Sequence, residues 1–208
     1  MKATRILIAD DHAIVRMGLV SLLGMQDGFE VVGDAEDGDA AVKRSLELKP
    51  DVVIMDLMMP KKDGAAATAE IHAALPGTKI LVLTTFGTSD GIANALNAGA
   101  TGVLMKSSPN TELVAAIRTV VAGGMAISDE VERLMEEDPP AKALTPRQMQ
   151  ILEAMTRGLT NQEIALALGI REDRVKDHVN VIFTKLGAAN RTEAVAIALR
   201  KQLLNLCG

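Results

Sequence analysis

VVIMDLMMPKKDG (52–64) runs four apolar residues, Val52 to Met55, into a bare carboxylate, Asp56, and follows it with Pro60 and Gly64. An apolar run without polar alternation, closed by turn-forming residues, is what a strand buried on both faces requires. An ionisable group at the end of such a strand is costly to bury unless partners compensate it. Asp56 therefore calls for neighbours, and they have to come from other strands.

Further runs of the same character are RILIA (5–9), FEVVGDA (29–35), KILVLT (79–84) and GVLM (102–105). Between them lie helix-like segments such as AIVRMGLVSLL (13–23), where Val15, Leu19, Leu22 and Leu23 share a face at helical spacing. Strands alternating with helices predict an α/β domain with a five-stranded, doubly wound parallel sheet covered on both faces. In such sheets function collects at the carboxyl ends of the strands.

Those ends are polar: Asp10-Asp11 after the first strand, Asp56 after the third, Thr84-Thr85 at the fourth and Lys106 after the fifth. Side by side they would gather three carboxylates, a hydroxyl and an ammonium. Crowded carboxylates resist joint ionisation without a cation, and oxygen ligands suit a hard divalent ion, most naturally Mg2+. With the cation held by Asp10 and Asp11, Asp56 becomes a nucleophile toward phosphorus and forms an aspartyl-phosphate. Lys106 would bind the phosphoryl group and Thr84 would hydrogen-bond one of its oxygens. Singly, each has a plainer explanation: an Asp after a strand is ordinarily a turn former or cap, Thr84 a strand residue and Lys106 a solvated one. The specificity lies in their conjunction.

The charge is divided. Residues 141–208 carry 10 Lys and Arg against 6 Asp and Glu, whereas residues 1–140 carry 12 against 21. The basic excess points weakly to nucleic acid and equally to an ordinary solvated surface. No apolar stretch approaches the roughly 20 residues of a membrane span, and MKATRILIADD has no signal-peptide pattern, so the chain reads as cytoplasmic with no membrane partner. The single cysteine, Cys207, has no partner for a disulfide or metal site. His12, His72 and His178 lack metal-ligand spacing, and none is assigned to catalysis.

SDEVERLMEEDPPAKA (128–143) carries an acidic run and then Pro139-Pro140, which reads as a linker. The expected organisation is a first domain over 1–125, a linker over 126–143 and a smaller all-α domain over 144–208. Three helix starts in the last are spelled out by Thr145 to Gln148, Thr160 to Glu163 and Asn190 to Glu193, and the ends by Gly158, Gly169 and Gly187. TNQEIALALGIREDRVKDHVNVIFTKLG (160–187) reads as two helices about a tight turn. In the second, Val175, Val179, Ile182 and Leu186 form the apolar face and Lys176, Asn180 and Thr184 lie opposite. This fits a helix-turn-helix, and on spacing alone it fits a protein-binding bundle equally well.

Two resemblances carry this further. IADDH (8–12), IMDLMMPKKDG (54–64), LTTF (83–86) and GATGVLMK (99–106) resemble the flavodoxin-like receiver domain of two-component response regulators across about residues 4–124. The resemblance implies phosphoryl transfer from a sensor histidine kinase to Asp56, with the Met58 backbone carbonyl joining Asp10, Asp11 and Asp56 around Mg2+. It implies a switch whose only chemistry is its own phosphorylation and the hydrolysis of that phosphate. Many receivers carry an aromatic residue three positions before the lysine. Val103 stands there, and a β-branched side chain cannot make the same rotamer change. A backbone or helix shift must then carry the signal, or the response is weaker.

LTPRQMQILEAMTRGLTNQEIALALGI with RVKDHV, IFTKLG and NRTEAV resembles the LuxR-type DNA-binding domain of the NarL/FixJ class across residues 144–204. It implies double-stranded promoter DNA as partner, Lys176 at the DNA surface, Asp177 and Asn180 at base edges, and Arg174 and Lys185 at phosphates. It also implies a homodimer when phosphorylated, with contacts from the helix 191–204, where Val195, Ala198 and Leu199 share a face. Arg174 replaces the family's usual threonine, and Arg171 occupies an N-cap that ordinarily prefers Ser or Thr. The rival readings are a Mg2+-dependent phosphatase, whose usual second Asp is here Met58, and an adaptor whose helical tail binds protein.

Overall fold

The computed structural model describes residues 2–85, 88–201 and 203. Cys207, Phe86 and Leu204 lie outside the described residues. The chain divides into two compact units, residues 1–138 and 139–208.

The first unit is built on a parallel sheet of β1 (Thr4–Ala9), β2 (Phe29–Ala35), β3 (Val52–Met55), β4 (Lys79–Thr84), β5 (Gly102–Met105) and β6 (Ala126–Ile127), in the order β2-β1-β3-β4-β5-β6. Neighbours within each strand point to opposite faces. Ile6, Ile8, Val52, Ile54, Leu81, Leu83 and Leu104 pack against α1 (Ala13–Gly24) and α5 (Asn110–Val121). Leu7, Ala9, Val53, Met55 and Ile80 pack on the other face against α2 (Gly38–Leu48) and α3 (Gly64–Ala74). This double cover is why the strands read as unbroken apolar runs.

The sheet has six strands where the sequence suggested five, and residues 126–137 are not linker. β6 pairs with Gly102 and Val103 of β5, and α6 (Asp129–Glu137) follows it. Ser128 caps α6 by accepting the Val131 N–H, and Asp129, Glu130 and Glu132 fill its first turn, where the helix dipole favours negative charge. The acidic run is thus a helix start. Val131 is fully buried, and Leu134 and Met135 pack beside it in a cluster with Leu57, Val82, Val103, and Ile92 and Ala95 of α4 (Ser89–Asn97). Val103 has no solvent exposure, closed in by that cluster.

The second unit comprises α7 (Pro146–Thr156), α8 (Asn161–Leu168), α9 (Glu172–Leu186) and α10 (Arg191–Arg200) around one apolar core. Thr145 and Thr160 form complete capping boxes with Gln148 and Glu163. Asn190 accepts from the Glu193 N–H, but the Glu193 carboxylate turns to the Ala189 N–H, so the third box is half made. Gly169 and Gly187 end α8 and α9 in the left-handed region, with φ 63° and 68°.

Candidate functional site

Backbone pairing continues one residue past each central strand and aligns their ends. The Asp10 N–H donates to Ala35 O at 3.1 Å, Asp56 N–H to Ala9 O at 2.8 Å, and Lys106 N–H to Thr84 O at 2.7 Å. Gly64 is obligatory here: a Cβ on it would sit 2.1 Å from the Asp56 carbonyl oxygen.

Lys106 joins the carboxylates, its Nζ 2.6 Å from Asp10 Oδ2 and 2.8 Å from Asp56 Oδ2. Asp10 Oδ1 accepts the His12 N–H at 2.8 Å, and Asp56 Oδ1 lies 3.4 Å from the Met58 nitrogen. Ligand atoms of Asp10, Asp11, His12 and Asp56 all lie within 4.8 Å of one another. The strand ends thus bring Asp10, Asp11, Asp56 and Lys106 into one crevice. His12 joins them, its Nδ1 2.6 Å from Asp11 Oδ1, although no ligand spacing singled it out in sequence. His72 stands apart, its ring against Gly99.

Lys106 pairs with Asp10 and Asp56 while Asp11 stands beside His12, and three carboxylates against one ammonium leave an excess of negative charge. Burial pushes the Asp56 carboxyl above the usual carboxylate range; the Lys106 hydrogen bond opposes this and the nearby Asp10 charge reinforces it. Burial also disfavours the charged Lys106, but its hydrogen bonds to Asp10 and Asp56 prevail and hold the ammonium above the ordinary lysine range. A hard divalent cation fits this donor set, since it would neutralise the surplus with oxygen ligands. Thr84 is fully buried, and its hydroxyl has no hydrogen-bond partner among the described residues. A buried polar atom left so costs about 1–3 kcal/mol, which an arriving acceptor oxygen would recover.

In the second unit, Val175, Val179, Ile182 and Leu186 are buried as their spacing requires, and Arg174, Lys176, Asp177 and Asn180 are exposed on α9. The exposed charges pair along the helix: Lys176 with Glu172 at 2.9 Å and Arg174 with Asp177 at 3.9 Å. Arg171 makes no side-chain cap. Lys185 is drawn inward, its ammonium donating to Ala143 O at 2.7 Å and Gln148 Oε1 at 2.9 Å. On α10, Ala198 is buried and Val195 packs with it, while Leu199 is 48% exposed.

Residues 6–118 match the family described as response regulator receiver domain, and residues 142–198 that described as bacterial regulatory proteins, luxR family. The chain belongs to the LuxR-type response regulators. This response regulator is 39% identical to the transcriptional regulatory protein LiaR of Bacillus subtilis, over 97% of this chain and 99% of that protein. It is 36% identical to the oxygen regulatory protein NreC of Staphylococcus epidermidis, over 96% of this chain and 99% of that one. Among solved structures, the response regulator ChrA of a heme-sensing two-component system matches with a TM-score of 0.58 and 36% identity, covering 98% of this chain and 100% of that one. RcsB of Salmonella enterica serovar Typhimurium, bound to promoter DNA in the presence of the phosphomimetic BeF3−, matches with a TM-score of 0.71 and 27% identity, over 94% of this chain and 98% of that one.

With this pair of domains the response regulator is a regulator of transcription. No helix among its described residues is long and apolar enough to cross a membrane.

Proposed function

We propose that this response regulator takes a phosphoryl group on Asp56 from a sensor histidine kinase and thereby changes its affinity for promoter DNA. The observation that carries this is the Asp10, Asp56 and Lys106 set at 2.6 and 2.8 Å, with a buried Thr84 hydroxyl on the neighbouring strand that has no partner among the described residues. An Asp56 oxygen attacks phosphorus, the bond from phosphorus to the donor imidazole nitrogen breaks, and the imidazole leaves with its electron pair and takes a proton. Lys106 follows the charge onto the phosphoryl oxygens, and Thr84 donates its idle hydroxyl to one of them. Mg2+, held by Asp10, Asp11, Asp56 and the Met58 carbonyl, would supply charge neutralisation on the transferring oxygens. The Asp56 phosphate would later be hydrolysed at the same site, with no exogenous phosphoester turned over.

With Val103 in place of an aromatic switch, the signal leaves through packing. Leu57, next to Asp56, shares one apolar cluster with Val82, Ile92, Val103 and Val131, so a shift of Thr84 and β4 is felt by α4 and α6. That route favours a cytoplasmic dimer whose paired α9 helices read two half-sites, with Asp177 and Asn180 at base edges and Lys176 and Arg174 near phosphates. Lys185 already commits two of its three N–H donors to Ala143 and Gln148, which leaves one for a phosphate.

Selection of genomic DNA fragments by the whole protein, before and after treatment with a small phosphodonor and Mg2+, tests the reading. Enrichment of a common motif that strengthens with the donor, and fails to do so in Asp56→Ala, is expected. Equal recovery of all fragments at every salt concentration would instead favour a protein-binding adaptor, and sustained hydrolysis of a phosphomonoester a phosphatase.

A further inference from the structure

The loop from Leu57 to Asp63 contains one of only two non-glycine residues with positive φ among those described: Lys61, at φ 65°. The Lys62 N–H donates to the Pro60 carbonyl two residues back at 2.8 Å, closing a tight turn centred on Lys61. A three-residue turn about a positive φ is rare and strained, and a lysine holds it only where its surroundings enforce it.

The surroundings are specific. Lys61 Nζ lies 2.5 Å from Asp37 Oδ2, and the Asp37 side chain is only 4% exposed. Its other oxygen accepts the Ala40 N–H at 2.7 Å, capping α2. The hydrogen bond from Lys61 and then that from Ala40 hold the Asp37 carboxyl below the usual range, so the pair is ionised at neutral pH. Behind it, a Cβ on Gly38 would sit 2.2 Å from the Lys62 carbonyl oxygen, which places the loop backbone directly against the start of α2. Lys62 adds contacts to Asp39 at 3.0 Å and Glu70 at 2.5 Å. At its base the loop is closed by Gly64 N–H to Leu57 O at 2.9 Å. Met58 lies between the fixed base and the pinned apex.

We propose that Lys61 is a positioning residue for the Asp56 site: paired with Asp37, it pins the loop that follows Asp56 and carries Met58, whose carbonyl the proposed function assigns to the cation. This rests on the reading of Asp10, Asp11 and Asp56 as a cation site. An ordinary surface ion pair would leave the cation untouched. Simple electrostatics would do the reverse of what is proposed, because deleting a positive charge near a cation site tightens cation binding.

Titration calorimetry of Mg2+ into the full chain separates these outcomes, alongside amide hydrogen exchange of residues 57–63 without the cation. Lys61→Ala and Lys61→Gly are expected to weaken Mg2+ binding by about tenfold, the scale on which residues supporting a metal ligand act. Both should also speed exchange in the loop. Lys61→Gly relieves the positive φ, which offsets part of the cost of leaving Asp37 without its lysine, so its melting temperature should lie above that of Lys61→Ala while Mg2+ affinity falls as far in both. Lys61→Arg, which keeps the charge and reach, should remain within about twofold of the wild type on the same scale. Unchanged or tighter Mg2+ binding in Lys61→Gly overturns the proposal. A wild-type chain that binds no Mg2+, or Asp56→Ala binding it equally well, overturns the cation site itself and this inference with it.

Discussion

At the ends of β1, β3 and β5 the charged side chains are withdrawn from water, with Asp10, Asp56 and Lys106 only 3%, 4% and 12% exposed. On α9 the charges stand in it: Arg174 and Asp177 are 74% and 69% exposed and 3.9 Å apart. The first arrangement has a fixed geometry and resists screening, and removing one member strands the others. The second consists of exposed pairs worth about 0–1 kcal/mol, whose members exchange partners at little cost. The chemistry of a transferring group needs the former, since its stabilising charges must be in place beforehand. On the proposed reading, docking on a polyanion needs the latter, because Lys176 and Arg174 would leave Glu172 and Asp177 to meet phosphate.

The contrast is sharpest if single lysines are removed from each region. Lys106→Met leaves Asp10 and Asp56 facing one another without a cation and should cost about 3–5 kcal/mol at neutral pH. The deficit should narrow in acid as the carboxylates take up protons. Lys176→Ala should leave stability essentially unchanged, since its ion pair is exposed. Denaturant unfolding followed by circular dichroism measures both, since the chain has no Trp or Tyr to report by fluorescence. Equal losses in the two variants would erase the distinction.

Asp56 itself sharpens the comparison through pH. Its folded pKa is raised above the ordinary value of 3.8 by burial. The stability this group contributes is therefore complete below that value and is lost as pH rises through the folded one. At neutral pH the ionised Asp56 is a net cost that a neutral isostere removes. Asp56→Asn should raise the receiver's melting temperature by about 2–4 °C at pH 7.5, with the gain shrinking toward pH 4. A lower melting temperature at pH 7.5 would mean that the Lys106 pairing outweighs burial.

The smallest effect belongs to the exposed helix. Lys176→Ala should reduce the slope of log affinity for DNA against log salt concentration by about one, with little change in which sequence is preferred. An altered sequence preference would give Lys176 a base contact instead.

Much of this was legible in the chain, because both periodicities and strand ends leave marks. Asp10, Asp56 and Lys106 each end an unbroken apolar run, and such runs have few places to go except the middle of a covered sheet. Gly169 and Gly187 announced the ends of α8 and α9. β6 was invisible because two residues show no period. α6 was masked because its acidic first turn resembles a solvated linker, although Val131, Leu134 and Met135 keep helical spacing. His12 lies among the acids through the turn into α1, which no spacing rule encodes. Lys61 gave no sign of its positive φ, since nothing in a lysine announces the left-handed region. Lys185 turns inward to carbonyl and amide oxygens of distant residues, a tertiary choice absent from the helical pattern.

The most direct measurement is the mass of the intact protein after treatment with a small phosphodonor and Mg2+, followed by mapping of the modified residue. A single acid-labile phosphoryl adduct on Asp56, absent from Asp56→Ala, is the expected result. No adduct, or one carried by another side chain, would contradict the assignment of the crevice at the ends of β1, β3 and β5 as the phosphoryl-accepting centre.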